Sequence, residues 1–445
     1  MRYRTLLSAG ALLIWLALSP DATNPGATNN DSPEAIWIRS ITPTPQALQI
    51  VSILKDAASE GLNSQDYDGP LWDARLAALQ TGALSPGQFN SELSAAVLRY
   101  ASDRRFGRAN PDPPRDADIA RWVFQRLVSS NDPNAAFQEL DPPFEDFGRL
   151  REALADYQQL SGEDAGEKPH GLKTLGEQRH RIRQIQLAME RWRWLPHDQP
   201  GPSIVVNIPE FRLQALDASG KTQLAMKVVV GKAHGFHTPQ FSADMEYLIF
   251  RPYWNVPPSI QHKELIPEIE NDVSYLSNNN FEVTNSAGAV VSTGRVSNEI
   301  LNGLRRGAFQ IRQRPGPKNA LGGLKFVLPN SHDVYLHDTP SRSLFAHARR
   351  DFSHGCIRVE KAAVLAAWVL QDRPGWTKER ILAAMSSGAL ARQVNLSHHI
   401  PVHVVYQTTV VGEDGVPHFF DDIYGLDEPL YRQLTNAAPG PHPRG

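Results

Sequence analysis

The chain has 445 residues, room for two or three domains at ~150 residues each. It is 41% hydrophobic and 21% charged, the make-up of a globular protein with a buried core, and its 45 Lys and Arg against 48 Asp and Glu leave a formal net charge of -3. That balance argues against a general nucleic-acid binder, and a single cysteine excludes intrachain disulfides and cysteine-rich zinc or iron–sulfur sites.

Arg2 and Arg4 precede an almost wholly apolar run from Thr5 to Leu18, about 14 residues. That length fits the apolar core of an export signal and is short for a membrane span. Residues 1–22 are therefore read as a signal peptide or, if uncleaved, an N-terminal membrane anchor. Residues 23–34 (TNPGATNNDSPE) read as a disordered polar tether.

Residues 35–170 carry helical signals. Ala47, Leu48, Val51, Leu54 and Ala58 line one face of a helix over 45–60, and similar patterns recur at 69–82, 85–105, 115–129 and 145–161. Proline-rich gaps at 111–114 and 141–143 separate them. A connecting helix within 171–199 ends in Trp192 and Trp194, read as core aromatics. The texture then changes to short apolar strands. These are expected at 203–208, 211–216, 224–230, 247–256, 281–284, 307–312, 323–328, 333–337, 400–411 and 417–423. Helices interrupt at 258–280, 360–371 and 377–386. The expected architecture is α+β: an all-α domain, then a mainly β domain over 200–430 with a helical insertion at 255–280, and a polar tail at 431–445.

The only cysteine lies in Ser353-His354-Gly355-Cys356-Ile357-Arg358. A thiol attacks carbonyls as thiolate, so it needs a base or a positive charge beside it. Small, polar neighbours at 353–355 suit a tight turn whose backbone N–H groups can face an oxyanion. If a strand follows, Cys356 and Arg358 share a face, and Arg358 can take a substrate carboxylate bidentately. In the strand signal Tyr335-Leu336-His337-Asp338, His337 precedes the cysteine by 19 residues, a connection that lets two strands lie side by side. His354 is too close in sequence to turn onto the same thiol. His398, His399 and His403 are competing bases. His399 and His403 would share a strand face, but no carboxylate at ligand spacing completes a metal site there.

The segments RQRPGPKNALGGLKFVLPN (312–330), YLHDTP (335–340) and SHGCIR (353–358) resemble the YkuD-type catalytic domain of bacterial L,D-transpeptidases, whose pattern is a histidine followed by Ser/Thr-His-Gly-Cys. The YcbB-like branch is the closer resemblance, through GLNSQDYDGPLW at 61–72 in a helical scaffold domain, ERWRWLP at 190–196, and NVPPSIQHKELIPEIENDVSYL at 255–276 in a capping segment. The resemblance implies Cys356 as nucleophile, His337 as base, the Asp338 carbonyl as orienter of the ring, and backbone N–H groups at Gly355 and Cys356 as oxyanion hole. It implies that Ser353, His354 and Arg358 shape the site or contact substrate, with Tyr335 and Trp254 as pocket walls. Many members have Asn at the position of Arg358. The branch usually carries a peptidoglycan-binding module where this chain has only a short polar stretch near 160–175.

The resemblance further implies a periplasmic enzyme acting on peptidoglycan stem peptides, open to acylation by carbapenems, without metal or organic cofactor. Three alternatives stay open at this level. The same thioester could go to water, as in an L,D-carboxypeptidase, or to a lipoprotein amine. The protein could be a cysteine peptidase with a downstream base. It could be a non-catalytic wall-binding scaffold.

Overall fold

The computed structural model describes residues 36–111, 117–160, 174–197 and 201–436. The expected signal, tether and most of the polar stretch after Leu160 lie outside them. The chain divides into two compact units, Met1–His197 with Gln407–Gly445, and Asp198–Tyr406.

The first unit is mainly helical. Its helices start where a capping side chain precedes proline: Thr44 before Pro45–Lys55, Ser85 before Pro86–Phe106, Asp132 before Pro133–Gln138. Proline loses nothing at that first position, because its missing N–H would have no partner there. Leu175–Trp192 starts with a capping box between Thr174 and Glu177. Tyr100 packs edge-on to Tyr67 and Phe137 in the core. Trp192 is buried against Phe144. The signal at 115–129 resolves into Ala117–Trp122 and a π-helical turn, Val123–Leu127.

The C-terminal boundary is corrected. The β domain ends at Tyr406 rather than 430. Thr409–Val411 pairs with Pro417–Phe419 inside the helical unit. The polar tail expected from 431 begins inside a helix, Asp427–Asn436, whose Leu430 packs with Ala109 and Leu187. Arg191 and Asp427 form an ion pair of 2.7 Å there.

The second unit is built on strands β1 (Ser203–Asn207), β2 (Arg212–Leu216), β3 (Thr222–Gly231), β4 (Phe241–Phe250), β5 (Trp254–Asn255), β6 (Phe281–Asn285), β7 (Val290–Ser292), β8 (Phe309–Gln313), β9 (Leu324–Val327), β10 (Leu336–His337), β11 (Asp351–Ser353), β12 (Ile357–Val359) and β13 (Arg392–Val405). Their main ladder runs β11-β3-β12-β10-β9-β4-β13-β1-β2, and β2 also pairs with β3. Eight strands therefore form a closed ring, with β11 attached to β3. Closure leaves few free edges. The strand expected over 247–256 is two strands in two sheets. Arg251 breaks it, with a left-handed φ of 50° and Pro252 after it.

The helical insertion expected over 255–280 is larger. It runs from β5 to β8 and has its own four-stranded sheet, ordered β5-β8-β6-β7. Its own core includes Val256, Leu265, Ile269, Val283 and Ile311. The strands expected at 281–284 and 307–312 belong to this cap. A buried amide helps to fasten it to the barrel. Asn319 is fully buried, and its amide donates to the carbonyls of Pro252, Gln313 and Arg314, at the points where the chain enters and leaves the cap. Its oxygen accepts from the Leu321 N–H. Replacing Asn319 by Ala orphans several buried groups at once, at a cost of about 2–4 kcal/mol. Urea unfolding of the variant is expected to show a loss of that size; an unchanged midpoint would mean that the cap is fastened elsewhere.

Candidate active site

Three neighbouring strands set the site. In β10, His337 is the Cα partner of Lys325 in β9 and of Arg358 in β12. Paired residues on adjacent strands project to one face, so Lys325, His337 and Arg358 form a row. Tyr335 and Cys356 lie two residues before His337 and Arg358, and the ladder continues to them through Ile357 N–H donating to the Tyr335 carbonyl at 3.0 Å. Side chains alternate with period two, so all five share that face. Burial alternates accordingly: Tyr335, Cys356, Arg358 and Lys325 are half-buried, while Leu336, Ile357 and Val359 fill the core.

His337 is buried, with Nδ1 2.5 Å from the Asp338 carbonyl oxygen. A carbonyl only accepts, so the proton is on Nδ1 and the lone pair is left on Nε2. Burial, with Arg358 and Lys325 nearby, lowers the ring's pKa to about 3, against the opposing pull of the Asp338 carbonyl. Asp338 is itself held. Its N–H donates to the Leu324 carbonyl at 2.8 Å. Its carboxylate accepts from Gly323 N–H at 2.9 Å and pairs with Arg342. Gly322 lies beside it with φ +60°, where a Cβ would stand 2.4 Å from the carboxylate, so only glycine fits.

The Cys356 thiol donates to the Asp333 carbonyl oxygen at 3.8 Å rather than to the imidazole. Burial pushes its pKa up, opposed by the Tyr335 N–H and hydroxyl and by Lys325 and Arg358. The resting pair is therefore a neutral thiol and a neutral imidazole. The Tyr335 hydroxyl is likewise held protonated by burial, and the Trp254 indole hydrogen-bonds to it. Lys325 Nζ sits 3.7 Å from the centroid of the Tyr335 ring.

The turn before the cysteine is pinned. Ser353 Oγ donates to the Cys356 carbonyl at 2.6 Å and accepts from Gly355 N–H at 3.2 Å. Thr238 Oγ1 donates to the Gly355 carbonyl at 2.7 Å and accepts from Gly231 N–H at 2.9 Å. Gly355 has φ +114°, a conformation that disfavours a side chain. Its N–H already bonds Ser353, whereas among the described residues no hydrogen bond is seen from the Cys356 N–H, which stays available as a donor beside the thiol. His354 turns away from the thiol, pairing through Nε2 with Glu264 of the cap at 2.6 Å and packing edge-on to Phe236.

The competing histidines are elsewhere. His398, His399 and His403 lie on β13, four ladder steps from β12 in either direction around the ring, on its opposite wall. His403 is buried and hydrogen-bonds Ser242 through Nδ1 at 2.8 Å, and His398 faces Asp372. Among the described residues, no cluster of three His, Cys, Asp or Glu side chains is placed to hold a metal. Sequence reasoning missed Lys325, Thr238 and Glu264. Only the i-to-partner register that puts Lys325 opposite His337 could have pointed to the first.

Residues 201–385 match the L,D-transpeptidase catalytic domain model, and residues 29–154 match the scaffold domain model. Residues 201–385 are a YkuD-type L,D-transpeptidase domain. A Haemophilus influenzae protein, provisionally named L,D-transpeptidase, is 33% identical over 247 residues, which is 55% of this chain and 48% of that one. The chain thus spans about half the length of this curated relative. A solved L,D-transpeptidase from Mycobacterium smegmatis and another in complex with imipenem are each 15% identical. They cover 46% of this chain and 58% and 59% of their own, at a TM-score of 0.23, too low to fix residue correspondences.

The depressed His337 pKa has a consequence for this L,D-transpeptidase domain. The unfolded chain binds a proton on this ring below its ordinary pKa of 6.5, the folded chain only below about 3. Stability from this ring is intact above pH 6.5 and falls as pH drops toward 3. Relative to the wild type, His337→Gln is expected to gain stability as pH is lowered from 7, by on the order of 3 kcal/mol at about pH 4. Thermal unfolding at several pH values measures it, and parallel curves for the two proteins would reject the buried neutral ring.

Proposed function

We propose that the protein is a peptidoglycan L,D-transpeptidase that forms 3→3 cross-links between stem peptides through a thioester on Cys356, as an exported, periplasmic enzyme of cell-wall biogenesis. What supports the reading is one arrangement: a half-buried thiol beside the Tyr335 hydroxyl, next to a neutral imidazole whose Asp338 contact leaves Nε2 as base. The apolar run Thr5 to Leu18 after Arg2 and Arg4, read above as an export signal or an anchor, agrees with it.

His337 Nε2 takes the thiol proton, and Sγ attacks the carbonyl between the third and fourth stem residues. The Cys356 N–H and the protonated Tyr335 hydroxyl are the donors on hand for the oxyanion. Collapse breaks the C–N bond, His337 returns its proton to the leaving amine of the D-amino acid, and the thioester remains. The side-chain amine of a second stem then attacks the thioester carbon. It passes a proton to His337, and the regenerated thiol takes that proton back. The lowered imidazole pKa and the raised thiol pKa keep both groups neutral at rest, so the proton moves from sulfur to Nε2 as part of the attack. A carbapenem, whose strained lactam is an activated acyl group, acylates the same sulfur.

Purified tetrapeptide stems test the proposal. The wild-type chain is expected to give cross-linked dimer and free D-amino acid. Cys356→Ala should give neither, and His337→Ala should slow thioester formation by roughly 10²–10⁴-fold. A carbapenem should add its mass to the wild type and not to Cys356→Ala. Trimmed tripeptide without dimer would replace the reading by an L,D-carboxypeptidase, and unchanged stems with no carbapenem adduct would reject an enzyme altogether.

A further inference from the structure

Lys325 has a place in this site that the thiol chemistry alone does not use. It stands across β10 from Arg358, with His337 as the Cα partner of both. At ~4.8 Å per strand, the two Cα atoms are about 10 Å apart, and two long side chains on one face can reach a common anion from that spacing. Lys325 Nζ is already drawn inward, over the Tyr335 ring at 3.7 Å. Both cations are half-buried. The buried Arg358 Nε has no hydrogen-bond partner. Among the described residues, neither cation has an ion pair to offset its lost hydration, whereas other arginines of the chain do, Arg312 with Glu282 and Arg104 with Asp141 for example. Charges removed from water and left unpaired are costly unless a ligand completes them. With His337 neutral, the row carries two positive charges beside one thiol. A thiolate offsets one of them, which leaves the other for an anion that arrives with the substrate.

We propose that Lys325, together with Arg358, forms a carboxylate subsite that holds the free C-terminal carboxylate of the departing D-amino acid, and so restricts the enzyme to the last peptide bond of the acyl donor. This rests on the cysteine acyl-transfer reading above. The subsite gives a use to a half-buried lysine on the face that carries the nucleophile, where an aliphatic strand residue would suit the fold. It gives Lys325 a specificity-determining role, as it touches the leaving residue and not the carbonyl under attack. A carboxylate held equally before and during attack lowers KM with little effect on kcat.

The experiment compares two donors with the full-length protein: a tetrapeptide stem with a free C-terminal carboxylate, and the same stem as its C-terminal amide. Thioester formation is followed by intact-mass spectrometry and by release of the leaving residue. The wild type is expected to favour the acid by about 10- to 100-fold in kcat/KM, the range of a charge-assisted contact. Lys325→Met should lose most of that preference through KM on the acid donor; because Lys325 also opposes the rise of the thiol pKa, the readout is the acid-to-amide ratio, from which any common slowing of both donors divides out. Lys325→Arg should keep the preference. Circular dichroism and a cooperative thermal transition like the wild type's show that Lys325→Met is folded.

Three results would overturn the proposal. The preference could survive in Lys325→Met. Both donors could slow equally in that variant with a shifted pH profile for alkylation of Cys356, which would make Lys325 a thiolate partner only. The wild type could treat acid and amide alike. No thioester with either donor in the wild type would reject the acyl-transfer reading itself, and the subsite with it. Reaction of the wild type with either donor keeps that reading, whatever becomes of Lys325.

Discussion

The hydrogen bond from His337 Nδ1 to the next residue's carbonyl is the contact on which the site's chemistry turns. A carbonyl cannot take a proton from the ring at neutral pH, so this bond fixes the tautomer without adding a charge. A carboxylate in the same place would raise the imidazole pKa. Here burial and two nearby cations lower it. The result is a weak base kept fully available, facing a weak acid. Such a pair resists spurious oxidation of the thiol, because the thiolate is the form that oxidants attack. The carbonyl can play this part because its own residue is clamped on both sides, by the Leu324 carbonyl and by Gly323 and Arg342.

Register is the second constraint, and it follows from the barrel. β10 has two ladder residues, too few to specify its own register by hydrophobic pattern. Its place is imposed from both sides, by antiparallel β9 and parallel β12. A slip of one residue would send His337 into the core face and Leu336 into the cleft. The closed ring guards against this, since any slip would propagate around it. The same closure separates the two histidine-bearing walls, so His403 cannot substitute for His337 whatever its rotamer.

Much of this was legible in the residues. The capped, proline-started helices announced themselves because capping chemistry is local, and the strands at 203–208, 211–216 and 224–230 because their apolar runs are bounded by turns. The 19-residue connection made side-by-side placement of the two key segments readable, but the spacing could not say that the neighbours are parallel or that Lys325 completes the row, since register is a non-local property. The single strand expected over 247–256 failed because Arg251 adopts a left-handed turn that its side chain does not advertise. Strand β4 starts earlier than the apolar signal because Ser242 and Asp244 project to the polar face. The C-terminal boundary failed because β strands at 409–411 and 417–419 look like those before them, and only packing assigns them to the helical unit. The cap was cut short for a similar reason: its strands β6 and β8 read as barrel strands, although their partners are each other.

The turn that carries the cysteine joins these constraints. Ser353 and Thr238 use their hydroxyls to fix two backbone carbonyls and two N–H groups, and Gly355 supplies the conformation that lets the chain reverse there. The motif residues around the nucleophile thus divide their work. Serine and glycine shape the backbone, and His354 reaches Glu264 in the cap. Chemistry is left to residues on the next two strands. A short signature looks self-contained in sequence, but the thiol it presents depends on Tyr335 and His337, neither of which lies within it. The physical unit of function here is therefore a patch of three strands, and the cysteine loop is one edge of it.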